Sequence, residues 1–342
     1  MKNESRRVTI KDVARETGFS IATVSRVING VNMYYSEETR RKVEEAVQKL
    51  NYTPNLNAKG LKESRTFNIA YMVPQIDDFY VEVYDAMQEV ANEKGYTIVI
   101  LSSNYKEEQE RINVNHIREK QYDGVVISTG LMNKDYRLHM EQLFPGIPVV
   151  FCEGMKERQN IHTVKVDVEA VCKEATEYLL AEGHKKIAYV SAPCRFETLT
   201  YRFKGYQDAL QGQGMQLEKE LIFFEKGLEK TNYNNCYKVM KNIISKRTFT
   251  AMLVMSDWAA FCALKVANEL GLKVPSDLSI IGFDNLPFTE YSQPQLTTIS
   301  QNSRWIGGKS IHMILNCLEG KKVKDVMRKG ELVKRGSVDT RR

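Results

Sequence analysis

The 342-residue chain carries 49 lysines and arginines against 43 aspartates and glutamates, a net charge of +6, with 42% apolar residues. That is enough apolar material for two or three cores, and no apolar run approaches the ~20 residues a membrane span needs. The excess charge is uneven: residues 1–65 hold 13 basic and 8 acidic side chains, and the remaining 277 residues hold 36 and 35. The N-terminus, MKNESRRVTI, is polar and charged and has no signal-peptide pattern, so a cytoplasmic protein is expected. The six cysteines, Cys152, Cys172, Cys194, Cys236, Cys262 and Cys317, stand singly with no CxxC, which predicts buried thiols rather than disulfides or a zinc site.

In chain order, TIKDVARET offers Thr9 as a helix cap with Asp12 three residues on, and Ile10, Val13 and Ala14 on one face. Gly18 permits a reversal. GFSIATVSRVING then places Ser20 at a second N-cap, Val24, Val27 and Ile28 on one side of a short helix, and Ala22, Ser25, Arg26 and Asn29 on the other. Two short helices joined at a glycine fit a helix-turn-helix, and the spacing alone fits a helical hairpin in a bundle equally well. The local +5 charge favours a polyanion partner, because it can offset phosphate charge and release counterions. SEETRRKVEEAVQKLNYTPN predicts a third helix, capped by Ser36, with Val43, Ala46, Val47 and Leu50 at helical spacing and Tyr52 and Pro54 ending it. The polar stretch NLNAKGLKES follows.

From Phe67 the pattern changes. The apolar runs FNIAYMVP, TIVILSSN, YDGVVIST and IPVVFCE alternate with amphipathic stretches, and KKIAYVSAP, LIFFE, TAMLVMSD and LSIIGFD repeat the alternation. Two successive βα sets predict two similar parallel-sheet lobes, with a ligand cleft at the carboxyl ends of the strands, just past Pro74, Ser128, Ser191, Asp257 and Asp284.

Catalytic motifs are absent. IGGKS at Ile306–Ser310 lacks the leading glycine of a phosphate loop, since position 303 is Ser303. His116, His139, His162, His184 and His312 form no HExxH or cluster, and there is no GxSxG or strand-linked GxGxxG. Asp257 and Asp284 fit an acid/base pair or a hydroxyl-binding site, and without a nucleophile motif the second is favoured. Neither enzymatic activity nor a cofactor or metal is expected.

TIKDVARETGFSIATVSRVING, SEETRRKVEEAVQKLNYTPN, YDGVVIS, EYLLAEGHKKIAYV, TAMLVMSD, KVPSDLSIIGFDN and PQLTTIS, in this order and spacing, resemble the LacI/GalR-type bacterial transcription regulators. The resemblance implies an all-α helix-turn-helix headpiece at residues 1–54, a hinge helix or linker at 55–65, and a periplasmic-binding-protein-like α/β core at 66–342. It further implies a homodimer on double-stranded palindromic operator DNA and a small sugar-like effector in the core. A solute-binding protein for uptake would share the core, and the basic headpiece argues against it. The ending KGELVKRGSVDTRR, without leucine heptads, favours dimers over tetramers.

Position by position, Ile21, Ala22 and Arg26 match recognition-helix residues that reach base edges, and Thr9, Ser20, Thr23, Ser25 and Asn29 match positions that hold backbone phosphates. Ile21 and Ala22 are apolar where better-known members carry hydrogen-bonding residues, so Arg26 is left with most of the polar readout. Asn55, Ala58, Lys59, Leu61 and Lys62 match the segment that folds on operator DNA and enters the minor groove, Leu61 as the wedge. Gly60 departs from a good helix former by about 0.5–1 kcal/mol. For the effector, Asp78, Phe79, Arg202, Asp257, Trp258 and Asp284 are expected around one cleft, with Arg202 beginning a helix and Asp257 and Trp258 ending the TAMLVM strand. Ser256 stands where Asn is frequent, and QIDDFY is one residue shorter than the usual pattern.

Overall fold

The computed structural model describes residues 8–30, 35–53, 65–128, 140–152, 161–193, 197–228 and 233–341. They fall into two units, Met1–Thr66 and Phe67–Arg342.

The first unit consists of α1 (Ile10–Thr17), α2 (Ile21–Ile28) and α3 (Glu37–Lys49). Each start has a local cause. The Asp12 carboxylate accepts from the Thr9 backbone N–H at 2.9 Å and from its hydroxyl at 2.7 Å. Ser20 and Ser36 accept from the N–H of Thr23 and Thr39 at 3.1 and 3.2 Å, caps each worth about 1 kcal/mol. Gly18, at φ 71°, closes α1 in the left-handed region; a methyl group on it would meet no atom within 4 Å, so what glycine supplies is backbone freedom rather than space. Val13, Val24, Val27, Val43 and Ala46 form the buried centre. On α3, Arg40, Arg41 and Lys42 pair with Glu44, Glu45 and Glu38, and Lys49 reaches Glu16 of α1. These pairs are exposed and screened by solvent, so they add little to stability.

The second unit holds two six-stranded sheets. In the first, β1 (Asn68–Val73), β2 (Thr97–Ser102), β3 (Gly124–Ser128), β4 (Val149–Cys152) and β5 (Ile161–Asp167) join β11 (Val326–Lys329) in the order β11-β5-β4-β3-β1-β2. In the second, β6 (Ile187–Ser191), β7 (Ile222–Phe224), β8 (Ala251–Val254), β9 (Ser279–Phe283) and β10 (Thr297–Ser300) join β12 (Glu331–Val333) in the order β12-β10-β9-β8-β6-β7. The pairings are parallel except β10 with β12. β3, β6 and β9 are buried along their whole length, as strands covered on both faces must be.

The helices are α4 (Asp78–Glu93), α5 (Glu107–Glu119), α6 (Met140–Leu143), α7 (Val168–Ala181), α8 (Glu197–Gly212), α9 (Tyr233–Ser245), α10 (Asp257–Glu269) and α11 (Ser303–Leu318). α7 leaves β5 of the first sheet to pack on α8, and α11 leaves β10 of the second sheet to pack on α4. β11 and β12, separated by Gly330, pair with different sheets. The chain therefore crosses between lobes three times. At the third crossing a methyl group on Gly330 would lie 2.7 Å from Val171 Cγ1, so the close approach of α7 to the crossing segment requires glycine.

The two parallel-sheet lobes agree with the apolar alternation, and the structure corrects it in three places. β5, β11 and β12 do not read as apolar runs: β5 alternates buried residues with half-buried His162 and Lys165, while β11 is an exposed edge strand. Arg202 lies five residues beyond the start of α8, not at it. β8 ends at Val254, so Asp257 and Trp258 open α10 behind the cap Ser256.

Candidate functional site

Each unit carries one candidate surface. In the first, Val24 and Val27 bury one side of α2 and leave Ile21, Ala22, Arg26 and Asn29 exposed on the other, with Thr23 and Ser25 half-buried. The polar groups of this face are organised by short-range bonds. Ser20 Oγ lies 2.9 Å from Thr23 Oγ1, and Asn29 Nδ2 donates to the Ser25 carbonyl at 2.8 Å and to its hydroxyl at 3.3 Å. Thr9 sits at the mouth of α1 with its hydroxyl on Asp12. Ile21 is 45% exposed, a large apolar group held out in solvent by a helix whose other side is committed to the core. Asn55, Ala58, Lys59, Leu61 and Lys62, with Gly60, lie outside the described residues.

In the second unit the candidate site is built around the end of β9. Asp284 and Asn285 have φ of 111° and 57°, a costly bend for two non-glycine residues. Four hydrogen bonds hold it. Asp284 N–H donates to the Ile299 carbonyl at 2.8 Å, Asn285 N–H to Thr298 Oγ1 at 3.3 Å, and Leu286 N–H to Asp257 Oδ2 at 2.8 Å, while Arg335 Nη2 donates to Asn285 Oδ1 at 2.8 Å. Arg335 also donates to Thr289 Oγ1, the Leu296 carbonyl and Glu290, so its charge is spent inside the lobe.

Asp284 is the residue this bend presents. Gln301 Nε2 donates to its Oδ1 at 2.8 Å. Burial pushes its carboxyl well above the ordinary carboxylate range; Arg202 opposes that rise, and the neighbouring Asp257 and Asp77 carboxylates add to it. Arg202, 8% exposed, lies with its guanidinium carbon 3.6 Å from the Phe283 ring centroid and donates from Nη1 to the Met255 carbonyl at 3.0 Å. Arg202 Nε and Gln301 Oε1 are buried without a hydrogen-bond partner among the described residues.

The other expected residues are distributed differently. Asp257 is 0% exposed, with Oδ1 accepting from Thr298 at 2.5 Å and Oδ2 from Leu286, so both oxygens are used by the protein and it supports the bend instead of facing a ligand. Burial raises its pKa to about 7, against the hydrogen bonds and Arg335, which lower it. Phe79 is buried in the first lobe, edge-on to Tyr80 at 5.3 Å between centroids, and is not an open platform. Asp78 is exposed and accepts from Trp258 Nε1 at 2.9 Å, a bond that joins the two lobes. Trp258 also packs on Phe288, with centroids 4.4 Å apart.

Sequence reading missed Asp77, Gln301 and Arg335. Asp77 caps α4, accepting from Tyr80 N–H at 3.2 Å and from Gln75 at 2.7 Å, and it is Asp77 whose charge reaches Asp284. Capping logic, which places an Asp one residue before the first helical turn, was the available signal for choosing Asp77 over Asp78. Gln301 and Arg335 had none, because their roles exist only once distant strands pair.

No helix among the described residues is long and apolar enough to cross a membrane. Residues 9–55 match the family model for bacterial regulatory proteins of the lacI family, and residues 176–338 match the periplasmic binding protein-like domain. Catabolite control protein A of Priestia megaterium is 33% identical over 316 residues, covering 90% of this chain and 91% of that protein. The structure of the lac repressor dimer bound to operator and the anti-inducer ONPF superposes with a TM-score of 0.84 at 26% identity, over 98% of this chain and all of that one. The transcriptional regulator CelR in complex with cellobiose gives a TM-score of 0.71 at 25% identity, over 97% of this chain and all of that one. Likeness that runs through both units and nearly the full length shows that the chain belongs to the LacI family of bacterial regulatory proteins, which are DNA-binding transcription regulators and not enzymes.

Proposed function

We propose that this regulator is a cytoplasmic homodimeric repressor whose affinity for a palindromic operator is altered by a small polyhydroxylated effector bound between the lobes of its core. Residues 1–54 form the headpiece, 55–65 the hinge, and 66–342 the effector-binding and dimerisation core. In support, the chain divides by contacts at Thr66 and Phe67. The lac repressor in the related structure is a dimer on operator DNA, and CelR holds cellobiose.

The observation that carries the reading is α2, a helix with a buried valine side and an outward face of Ile21, Ala22 and Arg26. Such a face enters a major groove with apolar groups toward thymine methyls and Arg26 toward guanine O6 and N7. Thr9, Ser20, Thr23, Ser25 and Asn29 anchor it to phosphates. Asn55, Ala58, Lys59 and Lys62 follow the minor groove, with Leu61 as the wedge between base pairs. Arg202 and Asp284, near each other at the end of β9, hold the effector. Genome-wide footprinting of the bound sites, followed by transcript measurement in a strain lacking the protein, tests this. Palindromic sites and raised transcription of the adjoining genes are expected, and sites without dyad symmetry or lowered transcription contradict it.

A further inference from the structure

Two cysteines of the second lobe face each other across a helix seam. Cys236 stands on α9 in the buried stripe Cys236, Met240, Ile243 and Ile244, and Cys262 on α10 in the stripe Ala259, Cys262, Ala263 and Val266. The two helices pack on each other, and both cysteines belong to the same apolar core. Their side chains are hydrogen-bonded, a thiol of one helix against a thiol of the other. Cys236 and Cys262 are 5% and 6% exposed, so an edge of the pair reaches the surface, whereas Cys152 and Cys172 are 0% and 1% exposed. Cys152 bonds Ser310 Oγ at 3.0 Å, and burial pushes the Cys172 thiol up to about 12. Thiols of that second kind are inert packing.

The outer part of the seam is polar and charged. Tyr237, beside Cys236, donates to Glu269 Oε2 at 2.5 Å, and Lys265, one turn beyond Cys262, holds Glu269 Oε1 at 2.8 Å. Lys241 and Lys265 place their Nζ atoms 5.7 and 6.0 Å from the Tyr237 ring centroid. The hydrogen bond with Cys236 lowers the pKa of Cys262, burial opposes it, and the Lys265 ammonium lowers it further. The same hydrogen bond, and then burial, raise Cys236. Cys262 is therefore the thiol of the pair that ionises first, with the Cys236 S–H donating to its sulfur. A thiolate already in contact with a second thiol is the arrangement of an attacking and a resolving cysteine.

We propose that Cys236 and Cys262 are a dithiol that a hydroperoxide such as hydrogen peroxide oxidises to a disulfide tying α9 to α10, and that the tie is felt in the first turn of α10, where Trp258 bonds the other lobe. In the first step the Cys262 sulfur attacks one peroxide oxygen, the O–O bond breaks, a sulfenic acid forms, and the departing hydroxide takes up a proton as water. In the second the Cys236 sulfur attacks the sulfenic sulfur, the S–S bond forms, the S–O bond breaks, and hydroxide leaves with the Cys236 proton as a second water. The two thiols lose two electrons and two protons, and the peroxide accepts both. In a reducing compartment such a disulfide is transient and reports oxidant. Asp257, which holds Leu286 N–H and Thr298 Oγ1, and Trp258, whose Nε1 donates to Asp78 Oδ2 at 2.9 Å, lie just over one helical turn before Cys262. A disulfide holds its Cα atoms about 5.5–6 Å apart. The helix carries the adjustment this imposes at Cys262 to Trp258.

The test treats the full chain with hydrogen peroxide and follows intact mass, alkylatable thiols and the peptide map. A loss of two hydrogens, a peptide cross-linked through Cys236 and Cys262, and recovery of both thiols with dithiothreitol are expected, with Cys152 and Cys172 still alkylatable after unfolding. In Cys236→Ala, peroxide should leave on Cys262 a sulfenic acid that dimedone captures, and in Cys262→Ala, Cys236 should stay a thiol. Both cysteines remaining thiols in the parent chain, or a disulfide from either to another cysteine, overturns the proposal. Capture at Cys236 but not at Cys262 overturns the order of attack. If the alanine variants fail to fold, the peptide map of the parent chain decides alone. The second part is read from Trp258 emission in Trp305→Phe, which leaves Trp258 as the single tryptophan of the chain. A shift on oxidation that dithiothreitol reverses is expected, and a disulfide that leaves the emission unchanged overturns the link to Trp258.

Discussion

The outward face of α2 and the cluster around Asp284 are opposites in construction. The face is made by one eight-residue helix whose stabilising bonds span three or four residues, Ser20 to Thr23 and Ser25 to Asn29, and its central groups stand in solvent. The cluster is made by Asp77, Arg202, Asp257, Asp284, Gln301 and Arg335, drawn from the whole length of the core, with Arg202, Asp257 and Gln301 buried and Asp77, Asp284 and Arg335 half-buried where the strands end. A surface that presents itself from one helix can be exchanged a residue at a time. A buried cluster cannot, because removing one member strands a neighbour. The proposed DNA-reading face and the proposed ligand site therefore answer single substitutions differently.

The contrast is put under most stress when one side of it is removed altogether. Deleting residues 1–65 is expected to abolish operator binding and leave a folded core, since the two units have separate buried centres. Binding assays with the truncated chain check this, and tight operator binding by it would contradict the division of labour.

Next in size are substitutions within the cluster. For an effector identified by screening, Asp284→Ala and Arg202→Ala are each expected to weaken binding by about 2 kcal/mol or more, because each strands a buried polar partner. Calorimetry measures the loss, and unchanged affinity in both variants would move the effector elsewhere.

A third effect separates the residues that support the bend from those that face the ligand. The Asp257 carboxyl titrates at about 7 in the folded chain against an ordinary 3.8, so the folded state holds its proton more tightly. The stabilisation from that proton is complete below about pH 4 and is lost as pH rises through about 7. Asp257→Asn keeps an acceptor for Leu286 N–H and a group for Thr298 without titrating. Denaturant midpoints should therefore fall less between pH 5.5 and pH 8 in the variant than in the parent chain, and equal slopes would show that Asp257 does not carry the dependence.

The same contrast explains what could be read from the sequence. Caps at Ser20 and Ser36, the reversal at Gly18 and the continuous apolar strands depend on neighbours in the chain, and all were legible. β5, with polar residues alternating, and β11, an exposed edge, gave no apolar run. Of the residues expected around an effector cleft, Arg202 and Asp284 lie near each other at the end of β9, while Asp257 and Phe79 are buried in the protein's own packing. Whether a carboxylate faces a ligand or a backbone N–H depends on pairing between strands dozens of residues apart. Sequence spacing carries no record of that.

The mildest change is expected in the hinge. Gly60→Ala should tighten operator binding by up to about 1 kcal/mol if residues 55–62 become helical on DNA, because alanine lowers the entropy of the free segment. Leu61→Ala should weaken it, and no change in either variant would contradict ordering of the hinge.

Whether α2 reads sequence through its outward face is decided by the affinity of Arg26→Ala for operator and for random DNA of the same length at the same salt. A selective loss of about 1–3 kcal/mol on operator, with random-DNA binding nearly unchanged, is the predicted result for a bidentate guanine contact. Equal weakening on both DNAs would contradict it and make Arg26 a phosphate contact.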